Sequence, residues 1–111
     1  MKDEHSEMKR LVEAIFTQLE CQEEQTKVII ETMLGDIELF DKKQHDYGPG
    51  NIAKFGEYGV LVRTNDKLER LINLSKRNEE PINESVIDTW QDLSIYGAIA
   101  RVVRNKKWNL Q

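Results

Sequence analysis

The chain has 111 residues, with 16 Lys and Arg against 20 Asp and Glu, a formal net charge of -4 and a sequence pI near 5.2. That length holds one small domain and leaves no room for a catalytic domain beside a regulatory one, and the acidic balance argues against wholesale binding to a nucleic-acid backbone. A lone cysteine, Cys21, excludes an intramolecular disulfide, and no apolar run approaches the roughly 18 residues that a membrane span needs.

In chain order, residues 5 to 24 are rich in Glu, Lys, Gln and Leu, and Met8, Leu11, Val12, Ile15, Phe16 and Leu19 recur at spacings of three and four. This period predicts a helix. Residues 1 to 24 also hold seven acids against three bases, so they carry the whole net charge and residues 25 to 111 sum to zero. The polar start does not read as a secretory signal, and a cytoplasmic setting is expected.

Residues 26 to 45 repeat the helical period with Val28, Ile29, Ile30, Met33, Ile37, Leu39 and Phe40, either as a second helix or as a continuation of the first. Tyr47-Gly48-Pro49-Gly50 ends this stretch as a loop. Asn51 to Phe55 reads as a short helical turn, Gly56 and Gly59 bracket a bend, and Tyr58 to Arg77 reads as a long helix. Asn78-Glu79-Glu80-Pro81 is the next connection, because proline and its predecessor resist a helix. Asn83 or Ser85 then caps a last helix running to about Arg104, with Ser85-x-x-Asp88 resembling a capping box. The expected fold is all-α: an antiparallel bundle of four to five helices, with an acidic N-terminal helix over 1–24 and a bundle core over 25–111 in a single domain.

Two helices carry acids in patterns that bear on chemistry. Asp66 and Glu69 lie at i and i+3, so their carboxylates can converge on one cation, or can serve an ordinary solvated face paired with Arg63 and Arg70. On the last helix Glu84, Asp88 and Asp92 recur every four residues on a line that continues with Ile95, Ile99 and Val102, while Val86, Trp90, Leu93 and Gly97 form an opposite apolar face. Like charges at this spacing repel, more so when desolvated. The helix macrodipole offsets this at Glu84, partly at Asp88 and poorly at Asp92. A hard divalent cation such as Mg²⁺, held by acids from two helices, is the functional alternative.

The end of the second helix offers Lys42, Lys43, His45, Asp46 and Tyr47, followed by Asn51 and Lys54. A glycine-bounded turn there either lets a phosphate approach backbone amides or simply stops the helix. His45-Asp46 lacks the further histidines that a His/Asp phosphohydrolase site requires. The basic Arg101 to Trp108 segment reads as C-terminal capping, with Trp108 as a packing or subunit contact.

Three segments, KKQHDYGPGN (42 to 51), RTNDKLERL (63 to 71) and ESVIDTWQDLSIYGAIA (84 to 100), resemble in order the first of the nucleotide-modification-associated domain families of phages and bacteria. More distantly, the last two helices are similar to the all-α nucleoside triphosphate pyrophosphohydrolases, the MazG-like and dimeric dUTPase-like group. That group binds Mg²⁺ through Glu-x-x-Glu on one helix and Glu-x-x-Asp on a later one. Asp66-x-x-Glu69 matches the first pair, with Asp for Glu, and Asp92 matches the end of the second. Thr89 stands at the remaining ligand position, and the nearest acid is Asp88, one residue earlier.

The resemblance implies a Mg²⁺-dependent pyrophosphohydrolase of nucleotides, with Asp66, Glu69, Asp88 and Asp92 as metal ligands and Asp66, Glu69 and Asp92 serving catalysis. One or two Mg²⁺ would bridge the substrate phosphates, and a carboxylate-bound water would attack the α-phosphate and release pyrophosphate. Lys54, Arg63, Lys67 and Arg70 would neutralise phosphates, Tyr47 or Tyr96 would stack on or bound the base, and Asp46 would join the substrate-binding set. Similar enzymes form homodimers or homotetramers. The alternative on the same fold is a nucleotide-binding accessory protein without chemistry, which Thr89 favours; a purely structural helical oligomer is a third.

Overall fold

A computed structural model describes residues 4–110. The protein is all-α: α1 spans Glu4–Gln18, α2 Gln25–Tyr47, α3 Gly50–Arg77 and α4 Val86–Arg104, with no strand among the described residues. No helix among them is long and apolar enough to cross a membrane. The chain divides into two compact units, Met1–Glu38 and Leu39–Gln111, and the division falls within α2.

In the first unit, α1 and α2 are separate helices. The break carries no Gly or Pro: Glu20 takes a left-handed φ of 55°, and the amides of Glu20 and Cys21 bond back to the carbonyls of Thr17 and Phe16 at 3.0 Å each. A lysine organises the turn. Lys27 Nζ lies 3.2 Å from both Glu13 and Glu24 and 4.8 Å from the Phe16 ring centre, so the start of α2 is tied to α1 by charge and by cation–π attraction. Val12 is buried here, while Leu11, Leu19, Val28, Ile29, Met33 and Ile37 stay exposed.

The second unit contains the end of α2, then α3, α4 and the C-terminal tail. Its core is Ile52, Val60 and Ile99, packed by Phe40, Ile95, Tyr96, Ala100, Val103 and Trp108. Helices α3 and α4 run antiparallel, since Glu57 meets Arg104 at one end and Arg70 meets Glu84 at the other. Their connection is closed by two caps. Asn78, at φ 54°, ends α3 with its amide on the Leu74 carbonyl. Ser85 starts α4, its hydroxyl accepting from the Asp88 amide at 3.0 Å, so Ser85 rather than Asn83 is the cap. Beyond α4, Lys106 takes a φ of 59° and the tail turns back. Trp108 then packs edge-on against Phe40, with ring centres 6.3 Å apart, and donates its indole N–H to the Pro49 carbonyl at 2.9 Å. The tryptophan is an internal packing group.

The bend expected near Gly56 is present. Gly56 has φ 61° and ψ -151° inside α3, a region that is essentially closed to residues with a Cβ. The kink brings Phe55 back onto the following turn, where a Cβ at Gly59 would lie 2.5 Å from Phe55 Cβ. Gly56→Ala is therefore expected to cost about 1–3 kcal/mol and to lower the melting temperature by about 4–8 °C per kcal/mol, as read by circular dichroism. A melting temperature equal to that of the natural sequence would show that the bend tolerates a side chain.

The apolar faces are used unequally. On α3 Val60 is buried, whereas Leu61, Leu68 and Ile72 are exposed. On α4 the line carrying Asp92 and Ile99 points inward with Thr89, and the Val86 and Trp90 face is open. Of the acid-bearing line, Asp92 is therefore packed, where α3 and α2 both send cations towards it, and Asp88 is exposed.

Candidate functional site

Asp92 sits two turns into α4, on the face that packs inward, and only 8% of it is exposed. A carboxylate so placed requires partners. Lys43 from α2 reaches Oδ1 at 2.8 Å, and Lys67 from α3 reaches Oδ2 at 3.0 Å. The same Lys67 Nζ lies 2.7 Å from Glu84 Oε1. Glu84 in turn accepts a hydrogen bond at Oε2 from the Thr89 hydroxyl. Thr89, fully buried, accepts from Arg70 Nη1 at 2.6 Å, and Arg70 Nη2 donates to the Glu84 carbonyl. Charges and donors therefore alternate from Lys43 through Asp92, Lys67, Glu84 and Thr89 to Arg70, linking three helices and the connection before α4.

The electrostatics follow from this alternation. Burial pushes the Asp92 carboxyl up, but the hydrogen bonds from Lys43 and Lys67 outweigh it and hold it below its ordinary value. Glu84 behaves the same way: burial raises it, and Lys67 with Thr89 bring it down further. The Asp92 hydrogen bond raises Lys43. Burial lowers Lys67, yet its bonds to Glu84 and Asp92 prevail and its net shift is upward. All four groups are therefore charged at neutral pH. Burial, reinforced by the Asp92 charge, raises Tyr96, which keeps its phenol proton as a donor.

Beside this network lies an open cavity of about 450 Å³ formed by the end of α2, α3 and α4. Its charged lining is Lys43, Arg63, Lys67, Glu84 and Asp92. Tyr47, Tyr96 and Phe40 supply aromatic surface, and Gln44, Gln91 and Asn51 supply amides. Arg63 reaches into it with Nη2 donating to the neutral Asn51 Oδ1 at 3.0 Å. Such a mixture of apolar walls and a few convergent polar groups is what a small-molecule site presents.

Of the residues singled out from the sequence, Tyr47, Arg63, Lys67, Asp92 and Tyr96 line this cavity together. Asp46 and Lys54 are exposed and outside its lining, and the Lys54 ammonium stands 5.6 Å from the Phe55 ring centre. Arg70 is occupied in bracing Thr89 and Glu84. Asp66, Glu69 and Asp88 are exposed and do not line the cavity, and Asp88 occupies the first turn of α4. Among the described residues no three His, Cys, Asp or Glu side chains are grouped as a metal site requires. The set of four acids, as folded, does not converge on one cation, and both oxygens of Asp92 face lysines. Lys43, Asn51 and Glu84, also noted in the sequence, line it too, whereas Gln44 and Gln91 are polar lining residues that the sequence did not single out. Helical phase gives the signal for Gln44, since Phe40, Lys43, Gln44 and Tyr47 share one face of α2.

Comparison of the chain with protein-family models, curated proteins and solved structures returned no significant match.

Proposed function

We propose that residues 39–110 bind a nucleotide in the cavity between the end of α2, α3 and α4. The observation that carries this reading is the convergence of Lys43, Arg63 and Lys67 with two tyrosines and three side-chain amides on one open cavity. Guanidinium and ammonium groups are the natural donors to phosphate oxygens. Aromatic faces suit a flat heterocycle, and Gln or Asn amides can both donate to and accept from a base edge. The order of the three sequence segments that resemble a nucleotide-modification-associated family supports the same ligand class.

A Mg²⁺-dependent pyrophosphohydrolase on this cavity is a second reading. It is favoured by Glu84 and Asp92 presenting carboxylates to a single ammonium, at 2.7 and 3.0 Å, a place where a cation is stabilised. It requires Lys67 to withdraw.

Thermal melting with a panel of nucleotides tests the first reading. At a ligand concentration of 100 times Kd, binding should stabilise the protein by about 2.7 kcal/mol, a rise of about 10–20 °C in Tm. No shift with any nucleotide at millimolar concentration would end the reading. Pyrophosphate release from triphosphates in Mg²⁺, lost on addition of EDTA, would establish the second.

A further inference from the structure

The charges on the cavity wall discriminate between kinds of nucleotide. Three cations, Lys43, Arg63 and Lys67, face two carboxylates, Glu84 and Asp92. Lys67 is held by both carboxylates. Lys43 has one partner, Asp92, and its side chain is 49% exposed. Arg63 is bonded to a neutral amide, so its charge is not matched by a carboxylate partner at hydrogen-bond distance. The cations available to an incoming anion are therefore Arg63 and Lys43, with Lys67 retained between the acids.

Resting on the nucleotide-binding reading above, we infer that the cavity takes a nucleoside monophosphate, without a metal ion, with the phosphate seated between Arg63 and Lys43. A phosphate monoester carries about -1.5 to -2 charges at pH 7, which two cations can match. A triphosphate would bring further negative charge towards Glu84 and Asp92 with no additional cation in the lining to meet it, and like charges in a partly buried site repel strongly. Lys67 keeps both carboxylates ionised yet shielded, so that Lys43 can turn from Asp92 Oδ1 to the phosphate. Asp92 thus competes with the ligand for Lys43.

Isothermal titration calorimetry of the full chain with the four deoxynucleoside monophosphates and the matching triphosphates, each in EDTA and in Mg²⁺, tests this. A monophosphate should bind more tightly than its triphosphate, with equal affinity in EDTA and Mg²⁺. Arg63→Gln should weaken it about tenfold, the loss of one charge-assisted contact, and Arg63→Lys should restore part of that loss. Asp92→Asn, which removes the competing charge, should tighten it by about tenfold. Should Asp92→Asn fail to fold, the Arg63 pair of variants decides. Binding of triphosphates only, or only with Mg²⁺, or weakened by Asp92→Asn in a folded protein, would overturn the inference while leaving nucleotide binding intact. Absence of binding by every nucleotide would overturn both.

Discussion

Lys67→Met is expected to lower stability at pH 7 by about 2 kcal/mol, a loss of about 10 °C in melting temperature. Removing one member of a fully buried ion pair costs about 3–5 kcal/mol because the other charge is left unpaired. The figure is reduced here because Lys67 and Glu84 are 22% and 29% exposed and water screens part of the effect. The dependence on pH distinguishes this cause from lost packing. Asp92 and Glu84 titrate below their ordinary values when folded. Their pairing therefore contributes stability that is complete above the unfolded carboxyl pKa, near pH ~4, and is lost as pH falls through the lower folded values. Lys67 is shifted upward, so its own contribution is complete at neutral pH and is lost only as pH rises through its raised value. The difference between the natural sequence and Lys67→Met should accordingly be full at pH 7 and shrink below pH ~4, as followed by chemical denaturation across that range. A difference of the same size at pH 7 and pH 3 would assign the effect to altered packing at this position instead.

Thr89→Val is expected to cost about 2–3 kcal/mol although it preserves volume and shape. The hydroxyl is wholly buried and mediates between Arg70 Nη1 and Glu84 Oε2, with the Ser85 carbonyl 3.2 Å away. Valine leaves the guanidinium and the carboxylate without that group, and the penalty is the desolvation of the partners left behind rather than the loss of one average hydrogen bond. Thr64 is the internal control. Its hydroxyl bonds only the Val60 carbonyl one turn earlier, at 2.9 Å, and Thr64→Val should change stability by about 0.5 kcal/mol or less. Because Arg70 and Thr89 belong to one network, Arg70→Met and Thr89→Val should not add, and a double-mutant cycle should return a coupling of about 1 kcal/mol or more. Additive effects would mean that Arg70 braces the connection before α4 independently of Thr89.

Thr89 also bears on the metal site expected from the sequence. At the position where an acidic ligand is expected, this chain buries a neutral hydroxyl against Arg70, and the adjacent acid, Asp88, is exposed on the first turn of α4. The carboxylate that shares the cavity with Asp92 is instead Glu84, from the connection before the helix.

The sequence by itself determined the elements. Apolar spacing marked α2, the long part of α3, and α4; Tyr47-Gly48-Pro49-Gly50, Gly56, Asn78 and Ser85 marked where the chain turns, because these signals act within a few residues and depend only on backbone sterics and capping. The reversal at Glu20 was hidden for the converse reason, since a left-handed non-glycine residue has no compositional mark. Sequence also placed Asp92 on one line with Ile99, since both lie on one face of a regular helix, and the structure buries both while leaving Asp88 of the same line exposed. It did not decide the partners of that carboxylate. Lys43 and Asp92 are 49 residues apart, and only the packing of α2 and α3 against α4 brings an ammonium to each oxygen. The same packing left Asp66 and Glu69 exposed, because a spacing of three puts two acids on one face of α3 without stating which face meets α4. Which acids are ionic anchors and which are solvated surface is a property of rotation about helix axes, set by the whole core and not by any single stretch of the chain.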